Sequence, residues 1–223
     1  MSDAISPRSR GDQGGSLVLP YELPDARLLL PADELSRCHV WQPPRVCVVI
    51  GRGSQLESEV RCDSVTADEV PVYQRPSGGC AVVLTPDMFV ASFVVRTMEQ
   101  LSSKEYFTRF THILIRALEL LGVRELSFRG ISDIAIGDRK LAGTALYRNR
   151  ERVFYHAVIN AAGATDLMER YLLHPPRTPD YRRHRPHSEF VTSLADHGAS
   201  VSLAQFAAAV QREFSAELTS LVA

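Results

Sequence analysis

The chain is short of several things, and each scarcity excludes a class of protein. Its four cysteines, Cys38, Cys47, Cys62 and Cys80, are too few for a disulfide framework and lack the C-x-x-C spacing of a metal clip, which fits a reducing compartment. Neither charge is in excess, with 25 Lys and Arg against 26 Asp and Glu, so no basic field gathers nucleic acid. No run approaches the roughly 20 apolar residues of a membrane span, and the N-terminus lacks the charged-then-apolar order of a signal peptide. The expectation is a cytoplasmic protein with neither nucleic acid nor membrane as a partner. Internal repeats are also missing. What remains is ordinary: 45% hydrophobic and 23% charged residues over 223 positions, enough to bury a core without staples.

Residues 1–16 carry serine, glycine and charge with almost no apolar mass, so they read as a disordered tail ahead of a single domain over 17–223. "RVCVVIG", residues 45–51, is a continuously apolar run ending in glycine, which predicts a buried strand. The next stretch, 54–70, reads as helical only in part. β-branched and aromatic runs at 70–74, 79–84 and 89–96 predict a strand meander. From Ser102 to Gly122 the period changes to three and four, with Tyr106, Phe107, Phe110, Ile113, Leu114, Ala117, Leu118 and Leu121 recurring at those steps. This predicts an amphipathic helix capped at Ser102 or Ser103 and stopped at Gly122. Strand patterns return in "RELSFRG", "SDIAIGDRKLAGTALYR" and "RVFYHAVIN", the middle one folding back at Gly137 and Asp138. Residues 172–187 are rich in proline and arginine and predict an extended, semi-rigid strap. Helical patterns close the chain at 187–196 and 202–220, the second with a Ser202–Gln205 capping box. Strands, a helix, more strands and then helices give an α+β fold with a mixed or antiparallel sheet backed by helices.

Two segments carry chemistry. In "QRPSGGC", Gly78 and Gly79 allow positive φ and close approach, Pro76 stiffens the entry and Ser77 offers a hydroxyl. Bare amides in such a turn can hold an anion, and the fork of Arg75 matches phosphate or carboxylate. The plainer reading is an ordinary turn. In the second segment Asp133 opens a strand, Lys140 follows the turn, and Gly143 interrupts the return strand, where a glycine marks close approach of a ligand or backbone. Lys140 there can neutralise developing negative charge, or simply pair with Asp133. His174, His184 and His187 lack the spacing of a metal cluster, so no protein metal site is expected. Trp41 reads as core.

In order, these segments resemble the lipoate protein ligase A family, relatives of biotin protein ligases and octanoyltransferases. "PRVCVVIGRGSQLESEV" is similar to that family's P-x-V-x-x-G-R-x-Q strand and turn, and "YQRPSGGCAVV" to its R-R-x-S-G-G-G-A-V loop. "SDIAIGDRKLAGTALYR" is similar to its N-D-[ILV]-x-x-G-x-[KR]-[IFV]-[AS]-G-[ST]-[AG] motif, and "YHAVINAAGATDLMERYL" to its H-H-G strand and helix. The strap resembles a segment of a divergent bacterial subgroup, with Thr178 where glutamine is common.

The resemblance implies the biotin/lipoate protein ligase catalytic fold. It also implies activation of lipoate or octanoate with ATP and Mg²⁺ to an acyl adenylate, followed by transfer to a lysine of a lipoyl-domain protein. Carried over, Lys140 would be catalytic, and Arg75, Ser77, Gly78, Gly79, Cys80, Asp133, Gly143 and His156 would bind substrate and adenylate. The sequence departs from the pattern at Gln74, Cys80, Ser132, Ala157 and residues 84–88, mostly on the nucleotide side. Two alternatives are an ATP-independent octanoyl or lipoyl transferase using Cys80, and a non-catalytic binder of lipoyl domains or acyl groups. The expectation is one catalytic domain without a separate accessory domain, and an accessory subunit as a partner.

Overall fold

The apolar runs of the sequence become strands of two sheets. The structure, a computed structural model, describes residues 17–222 except 31, 33–35, 99 and 164, and the expected tail over 1–16 lies outside them. In chain order the elements are β1 (Val18–Pro20), β2 (Arg37–Trp41), β3 (Cys47–Ile50), α1 (Leu56–Glu59), α2 (Cys62–Ala67), β4 (Val72–Gln74), β5 (Val82–Leu84) and β6 (Met88–Arg96). Then follow α3 (Ser103–Leu120), β7 (Leu126–Arg129), β8 (Asp133–Ile136), β9 (Arg139–Arg148), β10 (Arg152–Asn160), α4 (Asp166–Tyr171), α5 (His187–Phe190) and α6 (Leu203–Val222). One sheet is mixed, in the order β1-β4-β3-β5, and the other is antiparallel, in the order β2-β6-β10-β9-β8-β7. The expectation of a mixed or antiparallel sheet is met by one of each.

Alternation along the long strands separates core from site. In β10, Val153, Tyr155, Ala157 and Ile159 face the helices and enter the largest apolar cluster, while His156, Val158 and Asn160 face a cavity on the other side. α3 and α6 cover the first face. Phe93 stacks on Phe214 at 4.9 Å between ring centres, and Phe89 on Phe206 at 5.4 Å. Arg116 ties the two helices together through Glu213 and Glu217. Both expected caps form: Glu105 N–H donates to Ser102 Oγ and Ser102 N–H to Glu105, and Ser202 and Gln205 repeat the exchange. Gly122 ends α3 at φ +88°. Trp41 is buried, as expected of core.

The helix expected over 187–196 is interrupted. α5 ends at Phe190, and Val191 bridges in parallel to Lys140 while Thr192 N–H donates to the Lys140 carbonyl at 2.9 Å. Pairing with β9 wins over helix propensity, and it fixes the backbone of Lys140. Among the described residues, no helix is long and apolar enough to cross a membrane.

Candidate functional site

The glycine loop between β4 and β5 is built around a buried cation. Arg75 is 4% exposed and makes four hydrogen bonds, all to backbone carbonyls: Nε and Nη2 to Gly78, Nη2 to Cys80 and Nη1 to Val49. Its fork is thus engaged by the carbonyls that shape the loop. Burial lowers its pKa to about 10, still charged at neutral pH. Gly79 takes φ +93°, and Gly51 is needed beside it, since a Cβ there would lie 2.1 Å from the Gly79 carbonyl oxygen.

The second part is the β8–β9 hairpin, which turns at Gly137 and Asp138 as its sequence predicts. Its ladder slips between Ile134 and Ala135, which pair with Ala142 and Lys140, so Leu141 is an extra residue. Such a bulge reverses the side-chain parity of what precedes it. Lys140 consequently meets Gly143 and Asp133, which stand opposite each other in the ladder. Lys140 Nζ lies 2.8 Å from Asp133 Oδ1, and Tyr181 O–H donates to Asp133 Oδ2 at 2.9 Å. A Cβ on Gly143 would come within 2.9 Å of Lys140 Nζ, so this glycine makes the room in which the ammonium sits.

A third part has no signature in the sequence. Ser77 Oγ is 2.7 Å from His156 Nε2, and His156 Nδ1 is 3.6 Å from Asp25 Oδ2. Asp25 is fully buried and accepts from Ser92 Oγ–H at 2.6 Å and Tyr21 O–H at 2.9 Å. Burial lowers the His156 pKa against the pull of Asp25. Burial would raise Asp25, but its hydrogen-bond donors outweigh that and hold it below the usual range. The arrangement has the order of a Ser–His–Asp triad. Ser77, however, is 1% exposed and off the cavity wall, so the network positions the imidazole instead of offering a nucleophile.

All three parts border one cavity of about 890 Å³. Its wall includes Arg75, Gly79, Cys80, Asp133, Lys140, Gly143 and His156; of the two other residues expected on it, Ser77 is buried beneath the loop and Gly78 is exposed outside the cavity lining. Val49, Val82, Leu84, Val90 and Val158 make an apolar stretch of the wall between the sheets. Tyr21, Asp25 and Tyr181 are not among the candidates of the sequence, and only Tyr181 carries a signal, within the strap motif.

Residues 27–215 match the lipoyl protein ligase A/B catalytic domain. The chain belongs to that family. Lipoate–protein ligase 1 of Staphylococcus aureus is 29% identical over 130 residues, 58% of this chain and 38% of that protein. Lipoate-protein ligase LplJ of Bacillus subtilis is 31% identical over 119 residues, 53% and 35% of the two chains. The chain thus spans little more than a third of these curated relatives. The family fold is equally plain in solved structures. A bi-partite lipoate protein ligase of Thermoplasma acidophilum, described with its E2 lipoyl domain, superposes with a TM-score of 0.73 at 19% identity, covering 91% of this chain and 82% of that one. A lipoate-protein ligase A bound with ATP gives 0.71 at 19% identity, covering 91% and 83%. Within the lipoyl ligase fold, the glycine loop and the lysine hairpin are thus brought to one cavity.

Proposed function

We propose that the protein activates lipoate or octanoate with ATP and transfers the acyl group to a lysine of a lipoyl-domain protein. The observation that carries this is the Lys140 ammonium, held at 2.8 Å by Asp133 in the wall of the cavity that Gly79 also lines. A cavity of this size suits an acyl nucleotide, with the valine-rich stretch taking the chain.

In the first step a carboxylate oxygen attacks the α-phosphorus of ATP, an acyl–phosphate bond forms, and pyrophosphate leaves. In the second the target amine attacks the acyl carbon, the bond to AMP breaks, and the amine gives up a proton. Both steps gather negative charge on oxygen, so fixed positive charge at Lys140 serves both. Asp133 and Tyr181 hold the ammonium in place, Gly143 leaves it room, and Arg75 fixes the backbone of Gly78 and Gly79. His156 stays neutral at the wall, aligned by Ser77 and Asp25. Among the described residues, no three His, Cys, Asp or Glu side chains converge on a metal, and Asp133 is already engaged. These residues therefore offer Mg²⁺ no protein cage.

The same reading takes 17–223 as one catalytic domain of a cytoplasmic enzyme and keeps an accessory subunit as a partner, as the bi-partite archaeal ligase has two parts. The test is to incubate the protein with ATP, Mg²⁺ and octanoate or lipoate and look for acyl adenylate by mass spectrometry. We expect product in the wild type and a loss of about 10²- to 10³-fold in Lys140→Ala. Transfer from acyl carrier protein that needs Cys80 and no ATP would replace this reading with the transferase. Lipoyl-domain binding without either reaction would leave a binder.

A further inference from the structure

The proline- and arginine-rich strap crosses the cavity and touches both of its motifs. Cys80 Sγ is 3.8 Å from the Arg177 carbonyl at the glycine loop. At the hairpin, Tyr181 donates to Asp133, and Arg185 Nη1 donates to Asp138 Oδ2 at 3.0 Å. The arginines of the strap have different fates. Arg177 and Arg183 are exposed, and Arg185 is paired with Asp138. Arg182 is 4% exposed and lines the cavity.

Arg182 is held in place but not neutralised. Its Nε donates to the Arg185 carbonyl at 2.9 Å, and its guanidinium lies 5.0 Å from the centre of the Phe190 ring. Nη2 is buried with no hydrogen-bond partner among the described residues, and no carboxylate of those residues pairs with the side chain. Burial lowers its pKa, Glu169 opposes that fall and Arg185 adds to it. Burial and then Arg182 depress the His187 pKa to about 4, with Glu169 opposing and His174 and Lys140 adding to the fall. Glu169, the nearby carboxylate, is 3.8 Å from His187 Nδ1. A buried guanidinium nitrogen without an acceptor is unfavourable, and an anion brought into the cavity would supply one.

We propose that Arg182 is a second anion-binding residue of the cavity, supplied by the strap, which takes an oxyanion of the bound ligand while Lys140 takes charge from the hairpin. The ligand oxygen is a carboxylate or phosphoryl oxygen, and the strap is then a wall of the site rather than a solvated linker. The inference rests on the acyl-adenylate reading.

The test is isothermal titration of the full chain with octanoate, octanamide and AMP, comparing wild type with Arg182→Met and Arg182→Lys. Methionine keeps the buried aliphatic stem and removes the guanidinium, with its charge and its Nε bond to Arg185. We expect Arg182→Met to weaken octanoate, AMP or both by about tenfold or more, the scale of one charge-assisted hydrogen bond, and to leave octanamide within about twofold. Loss for octanoate alone assigns the site to the carboxylate, and loss for AMP alone to the phosphoryl group. Arg182→Lys should recover part of the loss. Unchanged affinity for both anions overturns the inference while leaving the acyl-adenylate reading intact. A wild type that binds none of the three ligands overturns both. Should Arg182→Met not fold, the His187 ring in the wild type is titrated by NMR with and without each anion. An anion seated on Arg182 raises the midpoint, and an unmoved midpoint for both overturns the inference.

Discussion

The glycine loop and the lysine hairpin use the same two ingredients, a cation and glycines, in opposite ways. In the loop the arginine is spent on the backbone: four donated hydrogen bonds bend residues 78–80 around the guanidinium. In the hairpin the glycine is spent on the cation, because Gly143 has no Cβ to meet Lys140 Nζ. The difference teaches that the Arg75 guanidinium is held by backbone carbonyls and the Lys140 ammonium by a carboxylate, although the two sit in similar company in the sequence.

Substitutions that confuse the two roles should separate stability from activity. Arg75→Met leaves the carbonyls of Val49, Gly78 and Cys80 without their donor in a buried site, and should cost about 3 kcal/mol of stability by urea unfolding. If it instead left stability unchanged and removed only activity, the contrast would be broken. Gly143→Ala displaces only the flexible end of Lys140, so its melting temperature should stay near wild type. Adenylate formation should fall by about 10²-fold, as expected for a charge misplaced by an ångström. The smallest effect is on pH dependence. His187 has a folded pKa near 4 against an ordinary 6.5, so the unfolded chain binds the extra proton between these values. Stability contributed by neutral His187 is complete above about pH 6.5 and is lost as pH falls toward 4. Chemical denaturation across that range should show the slope in wild type and a shallower one in His187→Asn.

The strap and α3 differ in how far their sequences could be read. α3 declares itself, because its apolar period, its Ser102–Glu105 cap and the Gly122 stop are local and agree. The strap reads as an extended, semi-rigid connection, yet Arg182 is buried at the cavity and Tyr181 reaches Asp133. Proline and arginine report a backbone without regular hydrogen bonds; they do not report what that backbone lies against. The helix expected beyond residue 190 fails for the same reason, since the partner that takes Thr192 N–H is the distant Lys140 carbonyl.

By itself the sequence determined the strands and helices with strong periods, the hairpin turn at Gly137 and Asp138, and the two motifs whose order carries the family. These are properties of neighbouring residues, set by backbone preference and side-chain period. Only the tertiary structure decided which partners their side chains meet. The extra residue Leu141 turned Lys140 toward Asp133, Arg75 was consumed by its own loop, and Asp25 came from an N-terminal turn to meet His156. Each follows from strand pairing and packing between residues far apart in the chain, where no local pattern marks which side chain will find a partner and which will be left facing the cavity.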